Sequence, residues 1–138
     1  MLIFAAVAAE SYAQKGMNSN RLFDGRFNDD KRVAETMIQG SQLEDYGLSV
    51  YHSLTATDAP EVADEILQCV NADAANAIER EVSYRGGKLY YGFYQLPNRH
   101  GAHRYLFYLN QNLTGGNKVI VIYLQGTASR KEIKEMLK

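Results

Sequence analysis

Two adjacent glycines, Gly86 and Gly87, constrain the fold of this chain more than any other feature. They stand between two runs rich in strand-forming residues, at 82–85 and 88–96. Because glycine adopts positive φ freely, a Gly-Gly pair in this position predicts a tight two-residue β-hairpin. A turn of this length also sets the register of the two strands. The predicted partners are Arg85 with Lys88, Tyr84 with Leu89 and Val82 with Tyr91.

This register assigns every side chain of the hairpin to one face of a sheet, since successive residues of a strand point to opposite faces. The face expected to contact the core carries Val82, Tyr84, Leu89, Tyr91 and Phe93. The face expected to point outward carries Ser83, Arg85, Lys88, Tyr90, Gly92 and Tyr94. The outward face is therefore polar, with aromatic rings at intervals.

Further strands are expected at Val33–Gln39, 48–55, 104–110 and 118–125. Residues 119–124 are apolar throughout, which is typical of a central strand covered on both faces. Asp58 with Glu61 and Ser129 with Glu132 have the spacing of helix capping boxes, and an apolar stripe follows each pair. The sequence therefore predicts an α+β fold, an antiparallel sheet of five or six strands with two main helices packed on one face.

The first thirteen residues differ from the rest of the chain. An apolar run at 2–9 is followed by small residues at Ser11 and Ala13, the pattern of a signal-peptide cleavage site. We expect residues 1–13 to be a signal peptide and 14–138 a single α+β domain, located in the periplasm or secreted. The positively charged segment that normally begins such a peptide is absent, which indicates that the leader is truncated at its start.

Composition excludes several functional classes. The 15 Lys and Arg balance the 16 Asp and Glu to a formal charge of −1, so no overall positive charge draws the protein to nucleic acid or to an anionic membrane surface. The apolar N-terminal run is shorter than the ~20 residues that a membrane-spanning helix needs. Cys69 is the only cysteine and is interpreted as a small core residue that can form no internal disulfide.

No catalytic, metal or cofactor site is predicted. His100 and His103 share a loop, but a metal site needs at least a third protein ligand and none lies nearby in sequence. His52 could act as a base for Ser53 or Ser83 in a hydrolase, yet no G-x-S-x-G motif accompanies it. A histidine at the edge of the core is the favoured interpretation. Neither Gly86-Gly87 nor Gly115-Gly116 begins a helix, as a phosphate-binding loop would.

Three segments carry a resemblance to a known group of proteins. They are SLTATD at 53–58, GKLYYGFYQLP at 87–97 and RYLFYLN at 104–110. With the final strand and capped helix, they resemble small exported domains of unknown function found in Bacteroidota. The resemblance covers nearly the whole mature chain. It implies an envelope location and an α+β fold, and it implies no chemistry.

The remaining functional signal is the outward sheet face. Its candidate binding residues are Tyr51, Arg85, Lys88, Tyr90 and Tyr94. Tyrosine and arginine are enriched at binding hot spots, so this face predicts a non-catalytic domain that binds an envelope protein or peptide, or forms a homo-oligomer. The preference of tyrosine for strands explains the same residues equally well. A small-ligand or lipid carrier with its cavity between helix and sheet is the alternative, followed by a hydrolase.

Overall fold

The computed structural model describes residues 17–137, which form one six-stranded antiparallel sheet with two α-helices and three short 3₁₀ helices. The strands are β1 (Val33–Gln39), β2 (Leu48–Thr57), β3 (Glu79–Arg85), β4 (Lys88–Arg99), β5 (Ala102–Asn110) and β6 (Lys118–Gly126). The α-helices are α1 (Pro60–Ala74) and α2 (Arg130–Met136), and the 3₁₀ helices are Asn18–Phe23, Ser41–Tyr46 and Gln111–Thr114. The predicted α+β class and antiparallel sheet are confirmed. The predicted signal peptide, 1–13, lies outside the described residues.

The strand order is β1-β2-β6-β5-β4-β3, which places β6 inside the sheet and β3 at one edge. Alternate residues of β6 enter two separate apolar clusters: Val121 and Tyr123 pack on the side of α1, whereas Ile122 and Leu124 pack on the side of α2. The two helices therefore lie on opposite faces, and their predicted placement on one face is wrong. A central strand that is apolar on both faces needs cover on both. We call the two sides of the sheet the α1 face and the α2 face.

The β3–β4 hairpin contains the predicted turn and one irregularity. Gly86 and Gly87 both have positive φ, at 57° and 78°. The pairs Arg85–Lys88 and Tyr84–Leu89 form as predicted, but the next pair joins Ser83 to Tyr91. Tyr90 is thus the additional residue of a β-bulge.

The bulge changes which face the rest of β4 presents. Val82 pairs with Gly92, so its predicted partnership with Tyr91 is wrong. Beyond the bulge the alternation of β4 is shifted by one residue, so Phe93 packs on the α2 face and Tyr94 on the α1 face. Tyr91 and Phe93 therefore still contact the core, as predicted, but on the α2 face, whereas Tyr94, predicted to point outward, is buried on the α1 face.

Helix α1 begins without the predicted capping box. Ala59 is its N-cap residue and no side chain caps it, whereas Asp58 has a positive φ of 52° and accepts a hydrogen bond from the Asn117 amide at 3.2 Å. Pro60 disfavours helical backbone at Ala59, the residue before it, and therefore disfavours a helix that begins at Asp58. The capping box of Ser129 and Glu132 at the start of α2 is confirmed.

The first 3₁₀ helix is attached to α1 through a buried carboxylate. Asp73 accepts hydrogen bonds from the backbone N–H of Asn18 at 2.6 Å and of Ser19 at 2.8 Å. An acidic side chain in a helix is normally exposed to solvent, whereas the Asp73 side chain is 3% exposed. A charged residue is buried here because it satisfies backbone donors at the start of the 3₁₀ helix.

Candidate interaction surface

The most distinctive surface of the molecule is its edge strand, β3. Within residues 17–137 it pairs with β4 alone, and all of its seven residues except Glu81 are exposed. Val82 is 40% exposed and Tyr84 is 62% exposed, although both were predicted to contact the core. The dimensions of the sheet explain this. Six strands span about 24 Å, whereas one helix covers about 10 Å, so α1 leaves the edge uncovered.

The turn determines which backbone groups of β3 face outward. In a two-residue hairpin the residues that flank the turn, here Arg85 and Lys88, bond to each other through their backbones. Along an antiparallel strand, the backbone N–H and C=O groups of successive residues point alternately to one neighbouring strand and to the other. The N–H and C=O groups of Arg80, Val82 and Tyr84 therefore point away from β4, toward the open edge. This edge presents hydrogen-bond donors and acceptors beside two exposed apolar side chains.

Charged contacts from α2 hold the other face of β3. Glu79 forms an ion pair with Arg130, and the Lys134 ammonium lies 2.6 Å from the Glu81 carboxylate. The hydrogen bond from Lys134 lowers the pKa of Glu81. The acidic side chains of β3 are thus engaged on the α2 face. Its exposed apolar side chains lie on the α1 face, because they alternate with the glutamates.

A groove of about 570 Å³ lies between α1 and the β3–β4 hairpin. Leu67 and Asn71 of α1 form one wall, and Tyr84 and Leu89 form the other. Tyr108 also lines the groove. Burial raises the pKa of Tyr108 to about 12, so its hydroxyl remains neutral at physiological pH. The groove combines apolar walls with amide and hydroxyl groups and opens beside the free edge of β3.

Three of the predicted binding residues lie at the same end of the sheet. The Arg85 guanidinium is 4.5 Å from the centre of the Tyr90 ring, a cation–π contact. Lys88 lines the groove beside α1. Tyr51 lies elsewhere, on the α2 face, where it lines a separate apolar groove of about 290 Å³ with Tyr46 and other residues.

Tyr94, the fifth predicted binding residue, is 3% exposed and belongs to the core beside α1. Its predicted outward position is wrong for two reasons. The bulge at Tyr90 moves it to the other face, and the absence of a side chain at Gly92 leaves room for its ring. A Cβ at Gly92 would lie 2.6 Å from the Tyr94 ring.

The histidine and cysteine candidates do not assemble into a reactive group. His52 is buried, with ring centres 5.2 Å from Phe23 and 6.1 Å from Tyr123. Burial lowers its pKa to about 4. Its neighbour Ser53 points to the opposite face of the sheet, because it is the next residue in the strand. Burial also raises the pKa of the Cys69 thiol.

His100 lies in the two-residue turn between β4 and β5, where Arg99 pairs with Ala102. His103 lies within β5, and its Nδ1 is 3.1 Å from the Asn98 side-chain oxygen. Nowhere in residues 17–137 do three His, Cys, Asp or Glu side chains come together as a metal site would require.

Comparisons with known proteins identify a family. A model of a family of unknown function, DUF6108, matches residues 5–137. Neither the curated proteins nor the solved structures give a match. In the part of the chain that the structure describes, no helix is both long and apolar enough to cross a membrane.

Proposed function

The chain belongs to the family of unknown function DUF6108, and we propose from the geometry of β3 that it is a non-catalytic interaction domain. In this proposal it binds another polypeptide by strand addition, in which an extended segment pairs with the outer edge of β3. The observation that carries the proposal is an edge strand with outward backbone groups and with Val82 and Tyr84 exposed beside them.

The composition of β3 supports this use of the edge. Natural proteins commonly protect edge strands with charged side chains, proline or a covering element, and β3 itself carries four charged residues. Here the glutamates are engaged with α2, and the residues left on the α1 face include Val82 and Tyr84. In strand addition, main-chain hydrogen bonds supply affinity and apolar side chains add contact area. The edge of β3 offers both.

The groove beside α1 supplies a basis for selectivity. Alternate side chains of a strand added at β3 would point to the α1 face, toward the groove lined by Leu67, Asn71 and Tyr84. Its mixed apolar and amide lining would favour some side chains over others. Arg85 and Lys88, two of the residues predicted from the sequence, lie at the turn end of this surface.

A small-ligand carrier is the second candidate, because the groove occupies the place between helix and sheet where such a cavity was expected. Its lining includes Asp64, Asn71, Asn110 and Asn112. Carboxylate and amide groups suit a ligand rich in hydroxyl groups better than an acyl chain. This candidate predicts that a bound ligand would slow hydrogen exchange in α1 and in the 3₁₀ helix Gln111–Thr114 rather than at the edge of β3.

The exported location remains part of the proposal and is supported by the pattern of residues 1–13. Its test is direct: the full chain is expressed with its N-terminus intact, and the mature protein is sequenced from its N-terminus. A first residue of Gln14 in the exported fraction agrees with cleavage after Ala13. Full-length protein confined to the cytoplasm contradicts it.

Photo-cross-linking tests strand addition at β3. A photoreactive amino acid replaces Val82 in the full chain, and the same replacement at Met136 provides the matched control. The two residues are 40% and 38% exposed, and Met136 lies in α2 rather than on the edge. After irradiation in the cells that produce the protein, the adducts are separated by mass and their peptides are mapped.

We expect a discrete polypeptide adduct from position 82 and little or none from position 136. Substitution of Val82 by proline should abolish binding of the captured segment, because it removes an outward N–H without removing a bond to β4. No polypeptide adduct at position 82, or equal adducts at both positions, would refute an interaction site on this edge.

A further inference from the structure

We propose that the strand added to β3 is the β3 of a second copy of this chain, paired antiparallel about a two-fold axis at Val82. This inference rests on the function proposed above and names its partner. Because β3 forms the edge of each six-stranded sheet, such pairing joins the two sheets into one. A two-fold axis also makes both copies use the same patch, as most homodimers do.

The sequence of β3 is complementary to itself in this register. Val82 lies opposite the partner's Val82, and the remaining pairs follow by symmetry. They are Glu79 with the partner's Arg85, Arg80 with the partner's Tyr84, and Glu81 with the partner's Ser83. Opposite charges that face each other across two strands are stabilising. The symmetry generates the Glu79–Arg85 pair twice, once at each end of the interface.

The environment of these residues permits the additional contacts. The Glu79 side chain is still 56% exposed although it contacts Arg130, so its carboxylate can accept a second guanidinium. Arg85 is exposed at the end of the strand. Arg80 donates a hydrogen bond to the carbonyl of Ala74 at 2.9 Å, which holds its cationic group on the α1 face, the face of the partner's Tyr84 ring. A cation beside an aromatic ring is a favourable pair.

Backbone geometry agrees with the same register. The outward-facing groups of β3 belong to Arg80, Val82 and Tyr84. In the proposed pairing each of these residues meets another outward-facing residue, so every outward N–H finds a C=O. All seven residues of β3 take part.

Neighbouring registers are less favourable. An axis at Glu81 would place two carboxylates directly opposite each other, which is destabilising. An axis at Ser83 would pair only residues 81–85 and would leave Glu79 and Arg80 without partners. The axis at Val82 combines the longest overlap with opposite charges at both ends.

Cysteine cross-linking tests the partner and the register together. In a hydrogen-bonded antiparallel pair the Cα atoms are about 5.5 Å apart, within the range that a disulfide can join. Val82→Cys in the full chain should therefore give a disulfide-linked dimer under mild oxidation. Ser83→Cys should not, because its Cα atoms would be about 8 Å apart across the axis. The native Cys69 is 0% exposed and should not compete.

Light scattering over a concentration series measures association without a cross-link. The wild-type chain should show a monomer–dimer equilibrium, and Val82→Lys should raise its dissociation constant at least about tenfold, since two ammonium groups would meet at the axis. Met136→Lys, at a residue of similar exposure away from the edge, should keep the wild-type value. Circular dichroism confirms that each variant remains folded.

The outcomes separate this inference from the proposed function. A wild-type chain that remains monomeric at every concentration, while photo-cross-linking at Val82 captures a different polypeptide, refutes self-pairing and leaves the interaction domain standing. A cross-link from position 82 to residues 1–16 within one chain also refutes self-pairing. A dimer that forms through Ser83→Cys instead of Val82→Cys refutes the register. If no dimer forms and no polypeptide adduct is captured at position 82, both proposals are refuted.

Discussion

Burial of His52 should make the stability of this protein depend on pH in a defined window. The side chain is 1% exposed and lies between Phe23 and Tyr123. Its pKa is lowered from 6.5 to about 4 by burial, which penalises the charged imidazolium. The pKa of Tyr123 is raised to about 12, so its ring stays neutral over the same range.

The sign and size of this pH dependence follow from proton linkage at His52. Below pH 6.5 the unfolded chain binds a proton at His52, whereas the folded protein binds it only near pH 4. The free energy of unfolding therefore falls as the pH drops from 6.5 toward 4, and this contribution is constant outside that window. The two pKa values differ by roughly 2.5 units, each worth about 1.4 kcal/mol, so the loss approaches about 3 kcal/mol.

Urea unfolding at a series of pH values measures the effect. The wild-type chain is compared with His52→Phe, which retains an aromatic ring, and with His52→Leu. Both variants remove the titrating group, so their free energy of unfolding should lack the His52 contribution between pH 6.5 and 4. The surface carboxylates titrate in all three proteins, so subtraction of each variant's curve from that of the wild type isolates His52.

The reasoning is wrong if the difference curve is flat. It is also wrong if the wild type gains stability relative to the variants as the pH falls, because that result would require a folded-state pKa above 6.5. A packing defect in either variant would change its free energy of unfolding by the same amount at every pH. Such an offset cannot imitate the pH dependence, and agreement between the two variants confirms this.

Two further predictions concern positions that organise the core. Asp73→Ala should lower the free energy of unfolding by about 2 kcal/mol, because it leaves the N–H of Ser19 without its buried acceptor, and hydrogen exchange at that amide should accelerate. Gly92→Ala should cost about 1–3 kcal/mol and displace the Tyr94 ring, which near-ultraviolet circular dichroism would detect. An unchanged spectrum and unchanged stability would contradict the close packing of that ring.

Features governed by neighbouring residues could be predicted from the sequence. The Gly86-Gly87 turn requires positive φ at both positions, and the pairs next to it follow directly. The apolar run of β6 predicted a strand covered on both faces. The local pattern at Ser129 and Glu132 predicted the start of α2.

Features that depend on the β-bulge at Tyr90, or on which distant strands pair in the sheet, could not be predicted from neighbouring residues. One additional residue at Tyr90 inverts the faces of β4, and no residue type marks a bulge there. That inversion is why Tyr94 is a core residue and not a binding residue. The start of α1 was assigned to Asp58 although the restriction that Pro60 imposes on Ala59 was already visible in the sequence.

The exposed edge of β3 could not be predicted for a different reason. The exposure of Val82 and Tyr84 depends on β3 being the last strand of the sheet, and this depends on which strands join β2. A hairpin pattern alone does not reveal an edge. The charged residues Glu79, Arg80 and Glu81 were the available signal, because edge strands commonly carry charge.

The pairing of β2 with β6 has a consequence for how the protein is made. These strands are neighbours in the sheet, yet α1 and three other strands separate them along the chain. A ribosome must therefore synthesise α1, β3, β4, β5 and β6 before β2 can pair with β6. Pairing of such distant segments is intrinsically slow, because chain entropy is lost before contacts repay it. We expect the newly made domain to stay incompletely folded, and to depend on chaperones, until β6 emerges.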